Sequence, residues 1–299
     1  MNKISAFVLV SIMAIFTASC SSTETDSGSQ EDTFTYESER GPVEVPEDPE
    51  RIVALTNGPN IHALDVDMVG VDQYTKDNPL FSDELEDVAT VSETDAESVM
   101  AQNPDLIIAG SHMENIEDLE KIAPTVVFTW GEMDYLEQHI EIGKLVGKED
   151  EAEEWAEDFD ERAGAIGEEV KEIHGENVSV TTYETADDTF YIYGDDWARG
   201  TEILYQAMDL NMPENVEEAV SDEGYHTISQ ETLGEYAGDF IVLSRYSTDE
   251  MNFKETDVWQ TIPAVQDDQV IEIDLEASTY SDPITLEYLL EIYEEGLTQ

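Results

Sequence analysis

Cysteine is nearly absent: Cys20 stands alone, so no disulfide can close any part of the chain on itself. Positive charge is scarce too. The 299 residues carry 12 Lys and Arg against 72 Asp and Glu, a formal net charge of −60 at pH 7. A surface of that sign repels phosphate backbones and anionic headgroups, which excludes nucleic acid as a partner and leaves no electrostatic route to a membrane. The apolar run over 4–16 falls short of the roughly 20 residues that cross a bilayer as a helix. Catalytic signatures are missing as well. There is no G-x-S-x-G elbow, no P-loop lysine and no cysteine placed as a nucleophile, so an enzyme is not expected. No stretch matches an EF-hand loop. With carboxylates this abundant, acid pairs arise everywhere by chance, so none marks a glycosidase or a metal site.

What is present argues for a folded, exported protein. The apolar fraction is 40%, with 13 Tyr and 4 Trp, which separates the chain from a disordered acidic tail. Self-repulsion at −60 is best tolerated where salt screens it, the Debye length falling from about 10 Å at 0.1 M to about 3 Å at 1 M. The charge therefore reads as adaptation to a saline habitat. At the start, Lys3, the apolar run over 4–16 and the small residues Thr17-Ala18-Ser19 have the pattern of an export leader, 1–19. Cys20 follows it directly, and a polar stretch rich in Ser and Thr then extends the tether over 20–35.

Beyond the tether, short β-branched runs alternate with helical patterns, the signature of α/β architecture. Strands are expected at 52–55, 106–109, 125–128, 178–182, 190–193, 240–243 and 270–273. Helices are expected at 60–64, 95–102, 116–122, 199–210, 230–237 and 284–293. The region 134–174 contains no proline, and Trp155, Phe159, Ile166, Val170 and Ile173 recur at helical spacing. This predicts a long helix broken near Gly147, whose 149–173 stretch spans about 37 Å at 1.5 Å per residue. A rod of that length between two α/β halves reads as a spine, 148–174, joining lobes at 36–147 and 175–299. The competing arrangement is a helix packed across one larger domain.

A weak internal repeat supports two lobes. Glu97 stands eight residues before Asp105 and a strand, and Glu231 stands eight before Asp239 and a strand. A glutamate at a helix N-terminus is stabilised by the helix dipole, which alone explains either residue. Its recurrence at one offset in both halves also suggests a paired docking role.

Several segments resemble the helical-spine substrate-binding proteins of iron-siderophore ABC importers, and in particular the ferric hydroxamate-binding lipoproteins of Gram-positive bacteria. They are Val45-Pro46-Glu47-Asp48-Pro49-Glu50-Arg51-Ile52, Asn103-Pro104-Asp105-Leu106, Tyr135-Leu136-Glu137-Gln138-His139, and, more specifically, Tyr191-Ile192-Tyr193-Gly194-Asp195-Asp196-Trp197-Ala198-Arg199-Gly200 and Tyr280-Ser281-Asp282-Pro283. The resemblance covers nearly all of the chain after the leader. It implies two Rossmann-like lobes on one spine helix, little hinge motion, and a ferric hydroxamate siderophore that holds its own iron, so that no protein cofactor is needed. It also implies lipidation of Cys20 on the outer membrane face, although Thr17 stands where such motifs usually carry leucine. A monomer is expected, with Glu97 and Glu231 meeting the dimeric permease.

Ligands of open α/β sheets sit beyond the carboxyl ends of the strands. Trp130, Trp197, Arg199, Tyr280 and, in a second tier, Asn57, His112 and Arg245 occupy such positions. Arg199 is the most telling, because a chain that has shed most of its positive charge keeps it there. Its guanidinium can donate to hydroxamate oxygens; the competing reading is an ion pair with Asp195 or Asp196. Trp197 offers an apolar face to a siderophore backbone, or packs in a core. Tyr191 and Tyr193 share one face of a strand; the resemblance places Tyr191 on the ligand side, as it does Tyr280, and Trp130 stands where relatives often carry tyrosine. A triply negative ferric catecholate is disfavoured by the charge of this chain, whereas ferric hydroxamates are neutral or cationic.

Two rival cargoes share the architecture. A zinc or manganese carrier needs three or four converging ligands, but the 5 histidines, at 62, 112, 139, 174 and 226, are dispersed. A cobalamin or haem carrier would use an axial histidine at the rim, such as His112. The saline reading predicts that the melting temperature rises as sodium chloride is raised from 0.1 to 1 M; a flat or falling curve would contradict it.

Overall fold

In the computed structural model, which describes residues 32–186, 189–248 and 251–299, the chain builds two separate five-stranded sheets. The expected leader, Cys20 and the first part of the tether lie outside the described residues. A hairpin of β1 (Thr33–Ser38) and β2 (Gly41–Pro46) comes first. The first sheet uses β3 (Ile52–Ala54), β4 (Met68–Val71), β5 (Ala89–Thr90), β6 (Leu106–Gly110) and β7 (Thr125–Phe128) in the order β5-β4-β3-β6-β7, all parallel. The second uses β8 (Val180–Ala186), β9 (Thr189–Tyr193), β10 (Tyr225–Ile228), β11 (Phe240–Arg245) and β12 (Val270–Asp274) in the order β10-β9-β8-β11-β12. Here β8, β11 and β12 are parallel, while β9 and β10 extend the sheet antiparallel. Each sheet is the centre of one lobe.

A helix over Tyr135–Leu145 leads into the spine, Glu149–His174, and the expected break falls at Gly147, whose φ of +70° suits glycine. Glu149, Asp150 and Glu151 in the first turn and Lys171 and His174 in the last complement the helix dipole. The buried stripe runs through Ala152, Ala156, Phe159, Ala163, Gly167 and Val170, mostly small residues, while Ile173 is exposed. Small residues allow close approach: a Cβ on Gly167 would lie 2.2 Å from the Met208 carbonyl. The spine is also clasped to the C-terminal helix Pro283–Leu297, because Arg162 donates to both oxygens of Glu287 (2.9 and 2.5 Å) and Trp155 Nε1 donates to the same carboxylate at 3.0 Å.

The pseudo-repeat has a structural cause. Asp105, just before β6, accepts the backbone amides of Glu50 (2.8 Å) and Arg51 (2.9 Å) that precede β3. Asp239, just before β11, accepts the amide and the hydroxyl of Ser179, both at 2.8 Å, ahead of β8. In both lobes the aspartate ties the starts of two adjacent parallel strands. The glutamates eight residues earlier are exposed at the first turn of a helix, Ala96–Met100, and of a 3₁₀ turn, Gln230–Glu235.

Two expected helices differ. The segment 230–237 is a 3₁₀ turn, and the segment 199–210 begins helically only at Thr201 and continues as a π-helical turn, Ile203–Ala207. Ala198, Arg199 and Gly200 all have positive φ, which removes them from the helix. The segment 178–182 becomes the longer β8, and β1, β2, β4, β5 and β10 are additional to the expected strands.

His139 is buried in the helix before the spine, its ring 5.1 Å from Trp155 and its Nδ1 3.4 Å from Asn60 Nδ2. Burial pushes its pKa down to about 4. The folded state thus refuses a proton that the unfolded chain accepts near pH 6.5, so stability present above that pH is lost as pH falls toward 4, by on the order of 3 kcal/mol. Replacing His139 with Gln is expected to remove that loss. Urea denaturation at pH 7 and pH 4.5 checks it: equal pH dependence in the two proteins would contradict the assignment.

Candidate functional site

Aromatic side chains beyond β7 in the first lobe, and on and after β9 in the second, where β9 runs antiparallel to β8, meet across the lobes. Trp130, beyond β7, is 62% exposed, and its ring meets the Trp197 ring edge-on at 4.9 Å. Trp197 stacks on Tyr193 (6.0 Å, 28°), tilts against Tyr225 (4.9 Å), and Tyr193 stacks on Tyr191 (6.5 Å, 25°). Tyr191 and Tyr193 thus share the expected face of β9. Gly224 makes room for Trp197: its φ is +73°, and a Cβ there would lie 1.8 Å from the indole Nε1.

The turn that presents Trp197 and Arg199 is strained and tightly held. Left-handed backbone in a non-glycine residue costs on the order of 1–3 kcal/mol, and Ala198 (φ 57°) and Arg199 (φ 56°) both adopt it before Gly200 (φ 70°). The Trp197 amide donates to Thr201 Oγ1 (3.0 Å), the Ala198 amide to Glu202 Oε1 (2.9 Å) and the Arg199 amide to the Ser278 carbonyl (2.8 Å). Tyr293 donates its hydroxyl to the Arg199 carbonyl, and its ring occupies the space a side chain on Gly200 would need. Glu202 is buried and also accepts from Ser281 Oγ at 2.8 Å; burial raises its pKa.

Arg199 donates through Nε to Glu184 Oε2 at 2.7 Å and through Nη1 to the Trp197 carbonyl at 3.0 Å, with its guanidinium 4.8 Å over the Tyr193 ring. Tyr193 donates its hydroxyl to the other Glu184 oxygen at 2.9 Å. Arg199 therefore does form an ion pair, but with Glu184 on β8 rather than with Asp195 or Asp196. The pair does not take Arg199 out of reach: among the described residues Nη2 makes no hydrogen bond, and Arg199 lines an opening of about 370 Å³ with Tyr74, Tyr246 and Tyr280. Tyr74 is 82% exposed and Tyr246 38%. Tyr280, supplied after β12, packs into the first lobe, with its ring 6.2 Å from Phe81 and its hydroxyl 3.2 Å from Thr75 Oγ1. Burial pushes its phenol pKa up.

The second-tier residues divide. Asn57 and His112 share with Tyr280 a neighbouring hollow of about 760 Å³, where the buried Asn57 Nδ2 has no partner among the described residues. His112 Nε2 is 3.3 Å from Glu93. Arg245 is held along its sheet by Glu272 (2.8 Å) and the Tyr246 carbonyl (2.9 Å) and lies apart from the aromatic array. Trp130 and Trp197 line a further hollow of about 710 Å³ with Asp195 and Asp196. Sequence reasoning misses Glu184, Tyr74 and Tyr225. A glutamate inside the strand run Thr181-Thr182-Tyr183-Glu184-Thr185 is the one local signal, and it is hidden among 72 acids.

Comparisons with known proteins agree with this fold. The profile of the family described as periplasmic binding protein matches residues 60–277. The iron(3+)-hydroxamate-binding protein FhuD of Bacillus subtilis (strain 168) is 32% identical, with 98% of this chain and 96% of the relative covered. Among solved structures, the FhuD protein from S. pseudintermedius superposes with a TM-score of 0.81 at 33% identity, covering 89% of this chain and 98% of the other. FhuD2 from Staphylococcus aureus with bound ferrioxamine B gives 0.79 at 31% identity, covering 84% and 98%. Matched over most of its length in sequence and in fold, the chain belongs to the periplasmic binding protein family.

Proposed function

We propose that this chain is an extracytoplasmic solute-binding protein, anchored through a lipid on Cys20, that captures a ferric hydroxamate siderophore and presents it to an ABC-type permease. The observation that carries the reading is the aromatic array of Trp130, Trp197 and Tyr191 beside a guanidinium that keeps a donor free, Arg199, with Tyr280 across the same opening. Indole and phenol faces cover the aliphatic spacers of a linear or cyclic hydroxamate, each large side chain buried contributing about 1.5–3 kcal/mol. The guanidinium donates to the iron-bound oxygens, which carry the negative charge left when the metal displaces the hydroxamate proton. Iron stays with the siderophore, so the protein supplies shape and hydrogen bonds and no resident cofactor.

Relatives described as a lipoprotein of an ABC transporter and as iron(3+)-hydroxamate-binding support the same assignment. Glu97 and Glu231, exposed and pseudo-equivalent, suit contact with the two halves of a permease. Such exposed pairs are worth only about 0–1 kcal/mol each and less in salt, so they set register more than affinity. A monomer suffices for this role. The cobalamin or haem alternative would need a free axial imidazole at the rim, and His112 is engaged with Glu93.

Titration of intrinsic tryptophan fluorescence tests the ligand class. Ferrioxamine B or ferrichrome is expected to quench it saturably and ferric enterobactin to leave it unchanged; the reverse ranking would overturn the assignment. Substituting Arg199 with Ala strands the buried Glu184 carboxylate, so Arg199→Lys is the cleaner variant. It retains the charge, loses the planar fork, and is expected to weaken ferrioxamine B about tenfold at an unchanged melting temperature. Unchanged affinity would remove Arg199 from the ligand site.

A further inference from the structure

The cation at the mouth is not an open positive charge. Arg199 and Glu184 are 17% and 8% exposed in their side chains, the most buried ion pair among the described residues. The two groups meet at 2.7 Å, and Tyr193 fixes the second carboxylate oxygen. We propose that Glu184 is a specificity-determining residue: by cancelling the charge of Arg199 while leaving it a donor, it biases the site toward neutral and cationic ferric chelates and against anionic ones. The inference rests on the ferric hydroxamate reading and adds to it the residue that sets ligand charge.

Stability does not explain the pair. A buried ion pair is typically no more stabilising than apolar side chains of similar volume. A siderophore site that only needed hydrogen bonds to oxygen would be served by Arg199 without a carboxylate behind it. Such a lone guanidinium would also attract any anionic iron complex that reached it. The surface charge of −60 is a weak barrier at the mouth itself, because exposed charges are screened over about 10 Å at 0.1 M salt and about 3 Å at 1 M, whereas buried groups are screened far less. Discrimination by charge must then come from groups inside the mouth, and Glu184 bonds directly to the cation there. Asp195, Asp196 and Glu202, the acids nearest in sequence, make no ion pair with Arg199 among the described residues. The strained turn fixes the geometry on the Arg199 side, and the central strand β8 fixes it on the Glu184 side.

The test compares Glu184→Gln with the unaltered protein for three probes of different charge: ferrioxamine B (cationic), ferrichrome (neutral) and a ferric tris-catecholate (anionic). Glutamine keeps the size and an oxygen facing Arg199 but uncovers its charge. The affinity ratio of the anionic to the cationic probe is expected to rise by at least about tenfold, with the neutral probe in between. If that variant does not fold, Glu184→Asp keeps a carboxylate but withdraws it from the guanidinium by one methylene, and is expected to move the ratio in the same direction by a smaller factor. Equal changes for all three probes in the variant that folds would make Glu184 a structural support and overturn the proposal. Failure of the unaltered protein to bind either hydroxamate would instead overturn the ligand reading itself.

Discussion

The Arg199–Glu184 contact depends on the turn that delivers it, and much of the second lobe is arranged around that turn. Three successive residues in left-handed backbone do not persist on local preference. They are held by two groups distant in sequence, the Ser278 carbonyl and the Tyr293 hydroxyl, and by one nearby, the buried Glu202 carboxylate, which itself takes a bond from the distant Ser281. Glu202 is the N-cap residue of the π-helical turn, Ser278 and Ser281 lie in the segment entering the C-terminal helix, and Tyr293 lies within that helix. The same helix is clasped by Arg162 to the spine, so the orientation of one guanidinium is tied to the scaffold that joins the lobes.

The spine packs closely against its neighbours. A stripe of alanine and glycine brings neighbouring backbone within contact distance, and the break at Gly147 sets the direction of approach. Contacts between lobes add to it: Asn78 Nδ2 donates to the Glu276 carbonyl at 2.8 Å, Tyr280 reaches Thr75, and Trp130 meets Trp197. Within each lobe an aspartate, Asp105 or Asp239, secures the first central strand pair in the same way. The two halves thus share one construction and differ at the rim, where the first supplies Trp130 and Tyr74 and the second supplies Trp197, Arg199 and Tyr280.

Much of this is legible in the sequence. The strands at 106–109, 125–128 and 240–243 are buried on both faces and read as unbroken apolar runs. The spine is legible from its length, the absence of proline and the glycine that breaks it. Short or half-polar strands are not: β4 is Met68-Val69-Gly70-Val71, and β10 is an edge strand with His226 and Thr227 exposed. The turn at Arg199 looks helical locally, because its conformation is decided by partners some eighty to ninety positions away. Trp197 and Arg199 stand out by scarcity of their types, whereas Glu184 is the commonest kind of residue in this chain. Its role becomes visible only when burial separates it from the solvated acids around it.

Charge acts on two scales here. The surface carries a large negative field whose range is set by salt, and the mouth carries a compensated pair that salt barely reaches. In the proposed function an aromatic and guanidinium mouth holds a chelated iron without unmaking that pair. A crystal structure with ferrioxamine B tests it most directly. The chelate is expected against Trp197 and the free edge of Arg199, with the bond to Glu184 intact and lobe backbones displaced by no more than about 1 Å. A chelate bound elsewhere, or an Arg199 side chain swung away from Glu184 to meet it, would overturn that reading.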